Sequence, residues 1–238
     1  MRLLIKYATR GRPIWFKKVI ENIISTISTT DFKILVSADS DDASMNNHDI
    51  KNFVSTFVNI QIFYGDSKSK IEAINKDMEY SGEWDLLINM SDDMHFVVKG
   101  WDIKMVDCIT KVWGYSLDFF AHFNDGYVGE ALPTMSIMGR TYYERDGYIY
   151  HPSYKSFSSD AEAMYVAMMR GRHHYFKDVL FLHQNHKNRP ARNDKTYTIN
   201  SKHTAHDTKN YFQRLTRYFD EPIGRQILKA RPELKQYL

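Results

Sequence analysis

Along the first ninety positions, apolar residues fall in short blocks whose spacing switches between two patterns. Leu3, Leu4, Ile5 and Tyr7 form a dense block that predicts a strand. Behind it, Pro13 suits a first helical position, and Phe16, Ile20, Ile23, Ile24 and Ile27 recur at helical spacing. Phe32 to Ser37 predicts a second strand, Asp49 to Phe57 a helix, and Ile60 to Tyr64 a third strand. Ile71, Ile74 and Met78 mark another amphipathic helix. Trp84, Leu86, Leu87, Ile88 and Met90 then make a nearly continuous apolar run, as a strand buried on both faces requires. Strands alternating with single helices predict an α/β chain. Its central sheet is Rossmann-like and mostly parallel, with helices on both faces.

The second half is less regular. Trp101, Ile103, Met105, Val106 and Ile109 predict a helix over Gly100 to Val112. Leu117 to Phe123 and Pro133 to Met138 read as strands separated by the turn Asn124-Asp125-Gly126. Ala161, Met164, Tyr165 and Met168 form a helical stripe, and Ser159 with Glu162 fits a capping box at its start. On that pattern Asp160 and Glu162 are first-turn acids favoured by the helix dipole. Leu180 to Leu182 is strand-like and presents His183, with His186 three residues on. Thr208 to Leu215 and Gly224 to Ala230 look helical, and Pro232 ends the last helix or starts a final short turn. A domain over 1–186 and a basic, helical tail over 187–238 packed on it follow from this pattern.

Composition narrows the function classes. A chain of 238 residues is one domain, or one with a small appendage. Its net charge of +3 is too small to argue for nucleic acid, although Lys187 to Lys209 is locally basic and Asn-rich, as a lid over an anionic ligand would be. The one cysteine, Cys108, rules out an internal disulfide framework and suits a reducing compartment. With no apolar run of membrane-spanning length, the expectation is a soluble, cytoplasmic protein.

The candidate chemistry sits at strand ends, where ligands of open α/β sheets bind. Ser91-Asp92-Asp93 closes the Trp84 run with two adjacent carboxylates, suited to a hard cation such as Mg²⁺ or Mn²⁺ and, through it, a diphosphate. Asp39, with Asp41 and Asp42, closes the second strand and offers acceptors for a pyrimidine N–H or ribose hydroxyls. Lys68 or Lys70, opening the next helix, is placed to meet a phosphate.

Taken together, Ser91-Asp92-Asp93, the loop Thr9-Arg10-Gly11-Arg12-Pro13, Asp39 and Lys70 resemble the nucleotide-binding half of GT-A-fold glycosyltransferases, close to the family 2 type. The resemblance covers roughly residues 1 to 186. It departs from the family pattern where Ser91 replaces the first metal-motif acid and where Ser159-Asp160 stands for a Glu-Asp pair.

The resemblance implies a metal-dependent enzyme moving a sugar from a UDP-sugar donor to a glycan, protein or small-molecule acceptor. It places Thr9, Arg10, Asp39, Lys70 and Asp92 at the nucleotide, Asp93 and His183 on Mn²⁺ or Mg²⁺, and Asp160 as the catalytic base of an inverting transfer. Two other readings stay open on sequence: a nucleotidyltransferase that makes sugar nucleotides, and a non-catalytic module that binds nucleotide or glycan. The single glycine in the loop after the first strand argues against the former.

Overall fold

A computed structural model of the chain describes residues 1–184, 195–222 and 226. His186, Pro232, the basic stretch up to 194 and all but one residue of the expected 224–230 helix lie outside the described residues. Seven strands form one sheet. They are β1 (Leu3–Thr9), β2 (Phe32–Asp39), β3 (Ile60–Gly65), β4 (Leu86–Met90), β6 (Phe120–Asn124), β7 (Ile137–Gly139) and β8 (His173–Val179). Their order is β3-β2-β1-β4-β7-β6-β8. The first four are mutually parallel, β7 runs antiparallel to both its neighbours, and β6 pairs parallel with β8. The remaining strands, β5 (Met94–Phe96) and β9 (Phe181–His183), form a separate antiparallel ribbon.

Alternation along β1 explains the two helical layers. Leu3, Ile5 and Tyr7 face one core with Phe16, Ile20 and Ile23 of α1 (Pro13–Thr26), Ile50 of α2 (His48–Ser55) and Met105 of α4 (Trp101–Trp113). Leu4 faces the other core, with Ile71 and Ile74 of α3 (Lys70–Asn75), Tyr142 of α5 (Arg140–Asp146) and Met164 of α6 (Ser159–Met169). Local chemistry starts the helices. Asn47 caps α2 by accepting from Ile50 N at 3.0 Å. At α3, Ser69 Oγ accepts from Glu72 N at 3.1 Å while Glu72 accepts from Lys68 N at 2.9 Å.

On the second face the sheet carries a buried polar row. Lys6 Nζ is fully buried and donates to Ser37 Oγ, which donates on to Asp77. Burial lowers the Lys6 amine to about 8 against the opposing charges of Asp77 and Glu79. Beside it, Asn89 Nδ2 donates to Tyr150 Oη at 2.9 Å, and that hydroxyl lies 3.0 Å from Ser136 Oγ.

The expected strand ends shift in the second half. β7 starts at Ile137 rather than Pro133, and β6 at Phe120 rather than Leu117. The chain at Leu117 instead crosses Gly139, where an added Cβ would lie 2.2 Å from Leu117 O, so glycine is required. The anticipated capping box at Ser159 and Glu162 does not form. The cap position is Ser158, with left-handed φ of 63° and no side-chain cap bond, and Glu162 turns inward.

Residues 195–222 include α7 (Lys195–Ser201) and α8 (Thr204–Leu215). Thr196 Oγ1 donates to Arg10 O at 2.8 Å, so α7 meets the loop after β1. Buried Arg214 of α8 forms a two-pronged ion pair with buried Glu162, both contacts at 2.8 Å, and Tyr154 Oη donates to the same carboxylate at 2.7 Å.

Candidate active site

β2, β1 and β4 are neighbours, so their carboxyl-end loops meet. The loop after β1 is fastened to the loop after β2. Arg10 donates to Asp39 Oδ2 at 2.6 Å and grips Asp41 with two bonds of 2.7 and 3.0 Å, while Gly11 N donates to Asp42 at 2.6 Å. Arg10 is therefore engaged with acids. Asp39 is buried, and its second oxygen, Oδ1, has no hydrogen-bond partner among the described residues. A buried acceptor left in that state is costly unless a ligand completes it.

Asp92 turns into the protein. It accepts from Tyr7 Oη at 2.7 Å and from Thr9 Oγ1 at 3.0 and 3.2 Å, with Arg12 Nη1 3.9 Å away. Burial pushes its carboxyl up to about 7, against the pull of Arg12, Tyr7 and Thr9. Thr9 and Asp92 thus brace the loops to each other. Tyr7 and Arg12 complete this brace; alternation marks Tyr7 as a core residue and hides its polar tip.

Asp93 points the other way. Ser91 Oγ donates to its Oδ1 at 2.5 Å, and His183 Nε2 lies 3.4 Å from the same oxygen. The ribbon brings these two residues together across the sequence. Met94 is opposite His183 in the β5–β9 register, and Gln184 N donates to Asp93 O at 2.7 Å. On its far side His183 Nδ1 is 3.8 Å from Asp125 Oδ2. Burial opposes charge on both partners, but their pairing outweighs it. Asp93 is held well below the ordinary carboxylate range, and the two acids lift His183 to about 9.

Asp125 is the residue that sequence reasoning missed, because Asn-Asp-Gly reads as a surface turn. It is buried, and its Oδ1 accepts from three successive backbone groups, Tyr127 N, Val128 N and Gly129 N, at 2.9, 2.7 and 3.1 Å. Thr134 Oγ1 donates to Oδ2 at 3.1 Å, and His183 N donates to Asp125 O at 3.1 Å. Burial is again outweighed, by His183 and these amides, and Asp125 stays well below the usual range. One carboxylate therefore sets both the loop and the imidazole.

Asp160 and Lys70 complete the group. The charge of Lys70, at the start of α3, acts on Asp93, Asp160 and His183. Asp160 accepts from Ala161 N at 2.9 Å, and burial raises its carboxyl above the ordinary value. Four residues singled out in sequence thus share one electrostatic neighbourhood: Asp93, His183, Asp160 and Lys70.

Whether Asp93 and His183 suit a divalent cation can be judged from their geometry. Two ligand atoms at about 2.1 Å from one ion and at right angles sit about 3 Å apart. The observed 3.4 Å between Oδ1 and Nε2 is close to that, and a carboxylate behind the imidazole is the usual support for a ligating histidine. Among the described residues no group of three His, Cys, Asp or Glu side chains could hold a metal. The pair fits an ion whose remaining ligands come from outside these two side chains.

No protein-family model matches the sequence, and no curated protein is significantly similar to it. Solved structures do resemble the fold. The mannosyltransferase PcManGT from Pyrobaculum calidifontis, solved with GDP-Man and Mn²⁺, superposes with a TM-score of 0.69 at 14% identity, over 91% of this chain and 64% of that one. TarS from S. aureus in complex with UDP-GlcNAc gives a TM-score of 0.58 at 10% identity, over 76% of this chain and 58% of that one. The chain thus spans less than two thirds of the length of either. No described helix is long and apolar enough to cross a membrane. Strand order, strand-end loops and these likenesses together give the chain the GT-A fold, the α/β scaffold of glycosyltransferases that bind nucleotide sugars.

Proposed function

We propose that this chain is a divalent-cation-dependent glycosyltransferase that takes a UDP-sugar and passes the sugar to an acceptor hydroxyl with inversion. The observation that carries the reading is the meeting of Asp93 and His183, 3.4 Å apart, beside Asp160 and Lys70 at the ligand end of the sheet. Asp93 and His183 would hold Mn²⁺ or Mg²⁺, which when bound supplies Lewis-acid stabilisation of the departing diphosphate. Lys70 adds a positive charge at the same place. Asp160 accepts the acceptor's hydroxyl proton as that oxygen bonds to the anomeric carbon, and the bond to the diphosphate breaks with its electron pair leaving on UDP. The raised basicity of Asp160 favours this role.

The hydrogen bonding of Asp39 supports uracil over guanine in this reading. Arg10 occupies Oδ2, which leaves one buried acceptor oxygen. Uracil presents one N–H on its pairing edge, whereas guanine presents two donor groups there and needs both oxygens of a carboxylate.

Calorimetry tests the core of the reading. UDP should bind much more tightly with Mn²⁺ than with EDTA, and Asp93→Ala should erase the difference. Equal affinity in both conditions would remove the metal. Turnover of UDP- and GDP-sugars with Mn²⁺ then tests the preference for uracil over guanine.

A further inference from the structure

The tail helix α8 holds a second carboxylate of the Asp125 kind. Asp207 is fully buried, and Lys155 N donates to its Oδ1 at 2.9 Å while Ser156 N and Phe157 N donate to its Oδ2, each at 2.8 Å. His206 Nδ1 lies 2.9 Å from the same carboxylate. One turn on, Asn210 Nδ2 donates to Ser153 Oγ at 2.9 Å, and a further turn on Arg214 holds Glu162. One face of α8 thus fixes both the loop 153–157 and the helix that follows it.

Between these two clamps lies the start of α6. Ser158 has a φ of 63°, a conformation that a serine holds when its surroundings impose it. Asp160 follows two residues later. The clamped loop also reaches α3, where Ile71 N donates to Lys155 O at 3.3 Å, next to Lys70. Three successive amides captured by one buried carboxylate leave the segment before Asp160 little freedom to rotate.

We infer that Asp207 is a positioning residue for sugar transfer: by fixing the backbone of 155–157 it sets the left-handed step at Ser158 and so the place of Asp160 relative to His183 and Asp93. The inference rests on the reading of Asp160 as the base. It makes α8 part of the catalytic framework through the backbone that Asp207 holds.

A double-substitution cycle tests it. Asp207→Asn keeps the side-chain shape but turns an amide NH₂ toward backbone donors. The folded variant should lose kcat by about 10²-fold, the cost of misplacing a catalytic group by roughly an ångström, with donor KM and UDP affinity unchanged. In an Asp160→Asn background the same change should cost almost nothing further, because the group it positions is already gone. Amide exchange at Lys155, Ser156 and Phe157 should quicken in both. If Asp207→Asn proves too unstable, Asn210→Ala removes the neighbouring bond and should show the same pattern, weaker. Lys209→Gln, on the exposed side of α8, should behave as wild type. Wild-type kcat in a folded Asp207→Asn protein with quickened exchange overturns the inference. An undiminished loss in the Asp160→Asn background overturns it too, by showing a general structural effect. Wild-type transfer by Asp160→Asn alone overturns the base assignment and this inference with it, an outcome recognisable without any change at Asp207.

Discussion

The two halves of the sheet secure their functional loops by different means. In the parallel half, β3-β2-β1-β4, neighbouring loops are tied to one another mainly by side-chain pairs, as Arg10 is to Asp39 and Asp41 and as Thr9 is to Asp92, with Asp42 adding single bonds from Gly11 N and Ser44 N. In the half containing β7, β6 and β8, single buried carboxylates gather backbone amides: Asp125 takes those of 127–129, and Asp207 those of 155–157. Regular βα alternation delivers chain ends to the site automatically, so the first half needs light stitching. The second half mixes strand directions and long connections, and each loop needs an anchor of its own. The difference suggests a division of labour in which the first half governs nucleotide binding and the second governs transfer.

That division can be broken by experiment, and the sharpest break would come from Asp160. Asp160→Asn should lower transfer by about 10²–10⁴-fold while UDP affinity stays near wild type. A comparable loss of UDP binding would merge the two halves. Next in size is Glu162→Gln, which leaves buried Arg214 with Asp220, 2.9 Å from its Nη1, as its one remaining carboxylate among the described residues. It should cost about 1.5–3 kcal/mol of unfolding free energy, read by denaturant titration, while the molecules that stay folded keep measurable transfer. A stability change below about 1 kcal/mol would show the pair to be dispensable.

Asp125→Asn comes third. Removing the charge behind His183 should weaken Mn²⁺ by about 10–100-fold, measured directly by metal titration, with UDP in EDTA unaffected. Unchanged Mn²⁺ affinity would detach Asp125 from the metal. The smallest change belongs to the first half: Asp39→Ala should weaken UDP by about 1–3 kcal/mol and leave the kcat of saturated enzyme alone. A fall in kcat with unchanged UDP affinity there would reverse the proposed division.

The same contrast explains what could be read in the sequence. From β1 to α4 the apolar periodicity placed nearly every element, because each packs against its immediate chain neighbours. Asp93, His183, Asp160 and Lys70 were all visible as strand-end or helix-start residues; the structure pairs Asp93 with His183 and puts both within range of the charge of Lys70, which also acts on Asp160. What escaped depends on partners distant in sequence. β8, His-His-Tyr-Phe-Lys-Asp-Val, is polar because it lies at the sheet edge, and β5 is three residues long with its partner in β9. Asp125 looks like a turn former because its neighbours are Asn and Gly, yet its carboxylate is buried by a loop it organises itself. Glu162 matched a capping pattern at the right spacing, but Arg214, fifty-two positions on, claims it. Arg10 is an expected nucleotide contact whose guanidinium is already engaged by Asp39 and Asp41.

Lys6 bears on how the sheet can be watched in solution. With its pKa near 8, a large share of this amine is unprotonated at mildly alkaline pH, where lysines at the ordinary value are almost wholly charged. An acylating reagent would modify Lys6 ahead of them if it could arrive, but the side chain is sealed at the centre of the sheet. Its labelling therefore waits on opening of the strands around it. The rate at which Lys6 is acylated, against that of Lys68, becomes a clock for excursions of the sheet's middle, and UDP binding at the strand ends should slow it.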